Sequence, residues 1–114
     1  MSDTIFHKII RKEIPAEMLH EDEHCIAIRD IHPVGPVHIL VIPKKTLPGL
    51  SDAQSDDKEL LGHLLLTATK LAQSEGLTAA GYRVVVNSGE DGGQTVGQLH
   101  IHLVGGRAFG WPPG

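Results

Sequence analysis

The sequence predicts an α+β domain in which about five strands form a mainly antiparallel sheet with one long and one short helix. Short apolar, β-branched runs are bounded by turn-forming residues, as strands are. One longer stretch repeats leucine and alanine at steps of three and four, as an amphipathic helix does. No internal repeat or linker interrupts the 114 residues, so we expect a single domain over 1–114.

The first half of the chain predicts a short helix followed by three strands. Asp3 or Thr4 is a suitable cap for a helix that continues to about residue 11. Residues 18–21 and 25–29 are separated by a polar turn, which favours two neighbouring strands. Residues 37–42 form a nearly continuous apolar run that ends at Pro43, as expected of a buried central strand.

The second half predicts the long helix and two more strands. Asp56 and Glu59 have the spacing of a capping box, and Gly76 is a suitable helix stop. Residues 82–86 predict the fourth strand. We expect both helices to lie on the same face of the sheet.

Composition and charge exclude several classes of function. The net charge is −4 and no basic block is present, which argues against a nucleic-acid polymer as partner. The single cysteine, Cys25, cannot form an internal disulfide, as is common in the reducing cytosol. The N-terminus does not resemble a signal peptide and no apolar run is long enough to cross a membrane. We therefore expect a cytoplasmic domain without a membrane partner.

The fifth strand carries the most informative pattern in the chain. Gln98, His100 and His102 alternate with apolar residues, which places two imidazoles on one face, about 7 Å apart at Cα. The segment 89–95 just before them is rich in glycine, whose backbone can direct N–H groups toward an anion. With His38 in the central strand, these features predict a site for phosphate chemistry.

Two alternatives to phosphate chemistry remain open. A strand with a solvated polar face would place two histidines side by side without any function. A metal site would need three or four ligands, which His38, His100 and His102 could provide as nitrogens. Glu90 or Asp91 could then supply an oxygen, although no His-x-x-x-His or Cys-x-x-Cys spacing is present. The nucleophile hypothesis needs only a neutral imidazole held in one tautomer beside phosphoryl-oxygen donors.

The histidine strand resembles the signature of the histidine-triad nucleotide-binding proteins, His-φ-His-φ-His-φ-φ, where φ is apolar. Other stretches resemble the Hint-type branch, the protein kinase C inhibitor-like proteins. These stretches occur in the same order along the chain and lie at 3–10, 36–45, 91–95, 105–107 and 111–114.

The resemblance implies a HIT-like fold, a homodimer whose sheets join across the subunits, and hydrolysis of purine nucleoside 5′-phosphoramidates without a cofactor or metal. By position, His100 is the nucleophile, and His102, His38 and Thr95 complete the catalytic site. The resemblance further implies that an AMP- or GMP-like nucleotide is bound by Asp30 at the ribose, by Asn87, Gly93 and Gln94 at the phosphate or leaving group, by Ile5, Phe6, Ile9, Ile28, Ile31 and Leu40 at the base, and by Trp111 near the leaving group, in its own or the partner subunit. For the six apolar residues, an ordinary core position is the alternative.

The first histidine of the triad is replaced by Gln98 in this chain. The resemblance implies that the backbone carbonyl at this position orients the nucleophile, and any residue supplies that carbonyl. We therefore expect activity to survive with an altered rate or leaving-group preference. If the family's histidine acts as an acid or base, an amide cannot replace it, and the chain would be a nucleotide-binding protein with little turnover.

Overall fold

A computed structural model describes residues 3–114 of the chain. Its helices and strands are α1 (Ile5–Ile10), β1 (Met18–Glu21), β2 (Cys25–Arg29), β3 (Val37–Pro43), α2 (Lys58–Ser74), β4 (Tyr82–Val85) and β5 (Ile101–Gly105). The strands form one antiparallel sheet in the order β1-β2-β3-β5-β4. The predicted α+β class, with five antiparallel strands, one long helix and one short helix, is confirmed. No helix among residues 3–114 is both long and apolar enough to span a membrane.

The two helices cover opposite faces of the sheet. Ile39 of β3 belongs to the buried cluster that contains Leu64 of α2. Its neighbour Leu40 belongs to a second cluster that contains Phe6 of α1. Successive residues of a strand point to opposite faces, so α1 and α2 cannot share one. The expectation that both helices lie on the same face is wrong, because the central strands are apolar on both sides.

The short helix α1 is capped by Thr4 rather than by Asp3. The backbone N–H of His7 donates to the Thr4 hydroxyl at 3.3 Å, and the Thr4 N–H donates to Nδ1 of His7 at 3.0 Å. This reciprocal pair satisfies helix-end donors in the manner of a capping box. His7 therefore stabilises the start of the helix.

The N-cap of the long helix α2 is Asp57, one residue later than the predicted Asp56. A short 3-10 turn, Ser55–Asp57, precedes it, and Asp57 accepts from the Gln54 N–H at 2.8 Å. The predicted stop at Gly76 is confirmed, since this glycine has a φ of +73°. Gly76 and Leu77 donate their N–H groups to carbonyls in the last turn of the helix, which closes it as a Schellman motif.

Regular pairing in β5 begins at Ile101, three residues after the start of the predicted alternation. The segment before it is held otherwise: Leu99 donates its N–H to the Leu47 carbonyl at 2.7 Å. Alternation nevertheless persists, because Leu99 and Ile101 are both in the cluster beneath α2. His100 and His102 are therefore on the opposite, α1-side face of the sheet.

Candidate active site

A cavity of about 420 Å³ opens on the α1-side face of the sheet. Its histidines come from two adjacent central strands and the segment leading into β5, where Leu40 pairs directly with His102. Nine of the fifteen predicted site residues line the cavity: Ile5, Phe6, Asp30, Ile31, His38, Leu40, Thr95, His100 and His102.

The tautomer of His100 is fixed by its backbone contact. Its Nδ1 lies 2.8 Å from the carbonyl oxygen of Gln98, and both residues are buried. A carbonyl only accepts, so Nδ1 must carry the hydrogen and donate it. The other ring nitrogen, Nε2, then carries no hydrogen in the neutral ring and has a free lone pair. The Phe6 ring packs edge-on against this imidazole at a centroid distance of 4.9 Å and limits its rotation.

A second chain of hydrogen bonds fixes the other two histidines. The Val34 N–H donates to Nδ1 of His38 at 3.1 Å, so the hydrogen of His38 is on Nε2. This Nε2 lies 2.9 Å from Nδ1 of His102 and donates to it. His102 must then carry its own hydrogen on Nε2. The site thus combines one nitrogen lone pair, on His100, with one N–H donor, on His102.

Burial keeps the rings of His38 and His102 neutral near pH 7. Desolvation, together with the neighbouring His100 and His38, lowers the pKa of His102 to about 4. Desolvation also lowers the pKa of His38, against the opposing effect of the Asp30 carboxylate. A neutral imidazole is the form that can act as a nucleophile or as a directed N–H donor.

Asp30, the residue after β2, lines the cavity and holds the loop that follows. Its Oδ1 accepts from the His32 N–H at 2.8 Å, and its Oδ2 lies 3.4 Å from Nε2 of His38. The side chain of Asp30 is only 19% exposed, so its second oxygen is presented to the cavity with little competition from solvent. Thr95, which also lines the cavity, is exposed.

Gln98 is buried away from the cavity, although the alternation predicted that it shares the face of the histidines. Its amide nitrogen donates to the carbonyls of Pro43, at 3.1 Å, and Lys45, at 2.9 Å. Its amide oxygen accepts from the Leu47 N–H at 3.0 Å. Three hydrogen bonds therefore anchor the residue whose own carbonyl orients His100.

The glycine-rich loop is not an open anion cradle. The N–H groups of Gly89, Gly93 and Gln94 donate within the loop, to the Gln94 side chain, Glu90 and Gly89 respectively. Asn87 donates its amide to the Gly92 carbonyl at 2.7 Å, and the Gln94 amide donates to Pro48. Because these groups already have partners, their main effect in this structure is to fix the shape of the loop that presents Thr95. Asn87, Gly93 and Gln94 do not line the histidine cavity.

Three other predicted residues also lie outside the cavity. Ile9 and Ile28 are buried in the cluster between α1 and the sheet, which is the core alternative named for them. Trp111 is 86% exposed and contacts neither the cavity nor the domain core among the described residues. Sequence reasoning missed three lining residues, His32, Val34 and Val96. Only their position in the sequence indicates them: His32 and Val34 lie shortly after Asp30, and Val96 follows Thr95.

The donor atoms that lie close enough to share a metal ion are not the set predicted for the metal alternative. Donor atoms of Asp30, His38 and His102 lie within 4.8 Å of one another, whereas His100 is not in this group. Glu90 and Asp91 do not line the cavity. A metal here would have to displace the hydrogen that His38 shares with His102. The arrangement fits a hydrogen-bond relay better than a set of free ligands.

Comparison with known proteins identifies the family. The HIT domain profile matches residues 11–109. An uncharacterized HIT-like protein of Synechococcus elongatus is 59% identical over 112 residues, covering 98% of this chain and 97% of that protein. The structure of a HIT family hydrolase from Legionella pneumophila has a TM-score of 0.96 and 49% identity, covering 98% of this chain and 100% of the other. A histidine triad protein from Clostridium difficile has a TM-score of 0.92 and 38% identity, with 96% of each chain covered. This chain, with its buried histidine pair on a five-stranded antiparallel sheet, belongs to the HIT domain family.

Proposed function

We propose that this protein is a nucleotide hydrolase that cleaves the P–N bond of purine nucleoside 5′-phosphoramidates and releases AMP or GMP. Membership of the HIT family, which includes the Legionella pneumophila hydrolase, supports a nucleotide hydrolase or transferase. The observation that carries the finer proposal is the 2.8 Å contact between His100 Nδ1 and the Gln98 carbonyl. It leaves Nε2 of His100 as a lone pair in the cavity, as a nucleophile requires.

In the first step, Nε2 of His100 attacks phosphorus and the P–N bond breaks. The nucleotidyl group is then bonded to His100, and the amine leaves with the bond's electron pair. The departing nitrogen needs a proton, because an amide anion is a very poor leaving group. In the second step, water attacks phosphorus, the P–Nε2 bond breaks, and the free imidazole and nucleotide are regenerated.

His102 is the group proposed to serve the phosphoryl oxygens and the departing amine. Its Nε2–H is a directed donor because Nδ1 already accepts from His38. The negative charge of a bound phosphate opposes the desolvation that lowers the pKa of His102, since an opposite charge nearby favours the charged form. Substrate binding therefore promotes protonation of His102. The added hydrogen is on Nδ1, which then no longer accepts from His38, and Nε2–H is the proton given to the departing amine. The water that attacks in the second step gives up the proton that restores this acid.

The remaining cavity residues are proposed to bind the nucleoside. Asp30 accepts from the ribose hydroxyls through the oxygen that the His32 N–H does not occupy. Ile5, Phe6, Ile31 and Leu40 contact the base as the apolar wall of the cavity. Thr95 donates its hydroxyl to the phosphate from the rim, while Asn87, Gly93 and Gln94 support it by holding the loop.

A homodimer is part of this proposal. Strand β4 is at the edge of the sheet, and its Val84 is 37% exposed, so the strand can pair with a second copy. Trp111, which is almost fully exposed, would then reach the leaving-group side of the partner subunit. Light scattering after size exclusion tests this: the wild type should be a dimer, and Val84→Lys should shift it toward a monomer.

The decisive measurement is AMP release from adenosine 5′-monophosphoramidate by the wild type, His100→Ala and His24→Ala, each with and without EDTA. His24 is an exposed histidine outside the cavity and serves as the matched control. We expect turnover in the wild type and in His24→Ala, none in His100→Ala, and no effect of EDTA. Tight AMP binding without turnover in the wild type would instead identify a nucleotide-binding protein. Activity that EDTA abolishes would support the metal alternative.

A further inference from the structure

Three potential metal ligands converge in the hairpin between β1 and β2, where it meets α2. The donor atoms of His20, Asp22 and Cys25 lie within 4.8 Å of one another. Oδ2 of Asp22 lies 2.7 Å from Nε2 of His20 and 3.7 Å from Sγ of Cys25. His63 of α2 is not in this group, and it reaches the cluster through its contact with Oδ2 of Asp22, at 2.7 Å.

The turn presents Asp22 in a fixed orientation. Its Oδ1 accepts from the backbone N–H groups of His24, at 2.7 Å, and Cys25, at 2.9 Å. Burial opposes ionisation of this carboxyl, but hydrogen bonds from His20, His24 and His63 hold its pKa well below the usual range. Asp22 is therefore an anion at neutral pH, with Oδ2 directed at both imidazoles.

The spacing of these atoms suits a tetrahedral zinc ion. Zinc–ligand bonds of about 2.0–2.3 Å place neighbouring ligand atoms of a tetrahedron roughly 3.2–3.6 Å apart. The gap between Asp22 and Cys25 is already close to this value. The His20 nitrogen, now at hydrogen-bond distance from Asp22, would move outward by about 0.5 Å, and a water molecule would complete the tetrahedron. Nitrogen, thiolate and carboxylate ligands are the set that zinc uses in proteins.

The cluster is accessible from solvent and separate from the histidine cavity. The side chains of His20, Asp22 and His63 are 35%, 27% and 37% exposed. A cavity of about 340 Å³ opens beside His63 and Glu59 and provides a path for an ion. Cys25 belongs to the cluster beneath α2, whereas the nucleotide cavity is on the α1-side face.

We propose that His20, Asp22 and Cys25 form a zinc site in the β1–β2 hairpin, with His63 of α2 orienting Asp22. It is independent of the proposed nucleotide chemistry. On binding, zinc takes the Nε2 lone pair of His20, whose ring hydrogen is then on Nδ1, and the Cys25 thiol loses its proton to solvent. Burial raises the pKa of that thiol to about 11, so metal affinity should increase with pH as this proton becomes easier to remove.

Titration of the apoprotein with zinc and with cobalt(II) tests the site directly. We expect one tight equivalent per chain, with the visible spectrum of tetrahedral cobalt and a thiolate-to-cobalt charge-transfer band. Cys25→Ser should remove the charge-transfer band. His20→Asn should weaken binding by about 100-fold or more. His63→Asn, which removes only the support of Asp22, should weaken it by about 10–100-fold.

The matched control is His102→Asn, because Asp30, His38 and His102 are the other group of converging donors. This variant should retain the tight equivalent and its charge-transfer band. Zinc should also raise the thermal midpoint of the wild type but not of His20→Asn, with circular dichroism confirming that each variant folds. Tight binding that survives in His20→Asn, or is lost only in His102→Asn, would overturn the proposal. So would the absence of any tight equivalent in the wild type, in which case the cluster is only a hydrogen-bonded link.

Discussion

The side-chain amide of Gln98 donates to the backbone carbonyl of Lys45 at 2.9 Å and thereby ties the residue that orients His100 to the segment after β3. The same amide also donates to the Pro43 carbonyl, and its oxygen accepts from the Leu47 N–H, so both of its N–H groups and its oxygen have partners at this buried position. A neutral imidazole has one donor and one acceptor, whereas the amide supplies two donors and an acceptor here. Gln98 is thus suited to its surroundings in a way that a histidine is not.

Restoring the family's histidine by Gln98→His should therefore not increase turnover by a large factor. One buried backbone group would lose its partner, which we expect to destabilise the fold by about 1–3 kcal/mol. Urea unfolding and AMP release, measured together, check both expectations. Gln98→Met, which has similar volume and removes all three hydrogen bonds, should lose more stability. A large gain in turnover for Gln98→His would show that the side chain, and not only the backbone carbonyl, takes part in the reaction.

The depressed pKa of His102 should make stability fall on the acid side of neutrality. Unfolded, this histidine titrates near 6.5, but in the fold its pKa is about 4. Between these values the unfolded chain binds a proton that the native state does not, so unfolding becomes easier as the pH falls. The contribution is present above pH 6.5 and is lost by about pH 4. We expect it to be about 2 kcal/mol after allowing for partial exposure.

Urea unfolding from pH 7 to pH 4 measures this dependence. His102→Asn should show a flatter profile than the wild type over that interval, whereas His24→Ala should not. An unchanged slope in His102→Asn would mean that the protonation of other groups governs the acid transition.

Asp30→Asn tests the contact with the ribose. Replacing a charged acceptor by a neutral one should weaken AMP binding by about 10–100-fold, since hydrogen bonds to charged groups contribute about 1.5–3 kcal/mol. The loss should be much smaller for 2′,3′-dideoxy-AMP, which has no hydroxyl to donate. Calorimetric titration of both ligands against both proteins gives the coupling free energy between Asp30 and the ribose hydroxyls. If both nucleotides lost the same affinity, Asp30 would act through its contact with His38 and not through the ribose.

Gly92→Ala tests whether the shape of the loop matters. A Cβ at this position would overlap the Ser88 carbonyl oxygen, which is a backbone atom and cannot move without distorting the loop. We expect reduced turnover through misplacement of Thr95, with only a modest change in the thermal midpoint. Gly97→Ala is the matched control, because a Cβ there would meet nothing within 4 Å. Full activity in Gly92→Ala would remove the loop from the proposed mechanism.

The sequence predicts well those features that depend on neighbouring residues. The hairpin strands 18–21 and 25–29 are located correctly, because Asp22 and its polar neighbours form a local turn. The end of α2 follows likewise from Gly76, whose positive φ is a property of the residue itself.

Features that depend on distant partners could not be derived in this way. The Gln98 amide turns away from the cavity because it bonds to Pro43, which is 55 residues away in the chain. The glycine loop closes on itself through Gln94, so glycine content alone overstated its ability to bind an anion. The contact between His38 and His102 spans 64 residues and has no local signature. Their positions in apolar strands predicted a shared site, but not the contact between the two rings.

The cavity has a buried part, which holds the histidines, and a more exposed part, which belongs to its apolar wall. The histidines come from strands whose neighbours are fully buried, whereas Ile5 is 47% exposed and Ile31 is 83% exposed. Substitutions at these two peripheral positions can reshape the apolar wall without creating a void in the core. The preference for one base over another can therefore drift between related chains while the reacting groups stay unchanged.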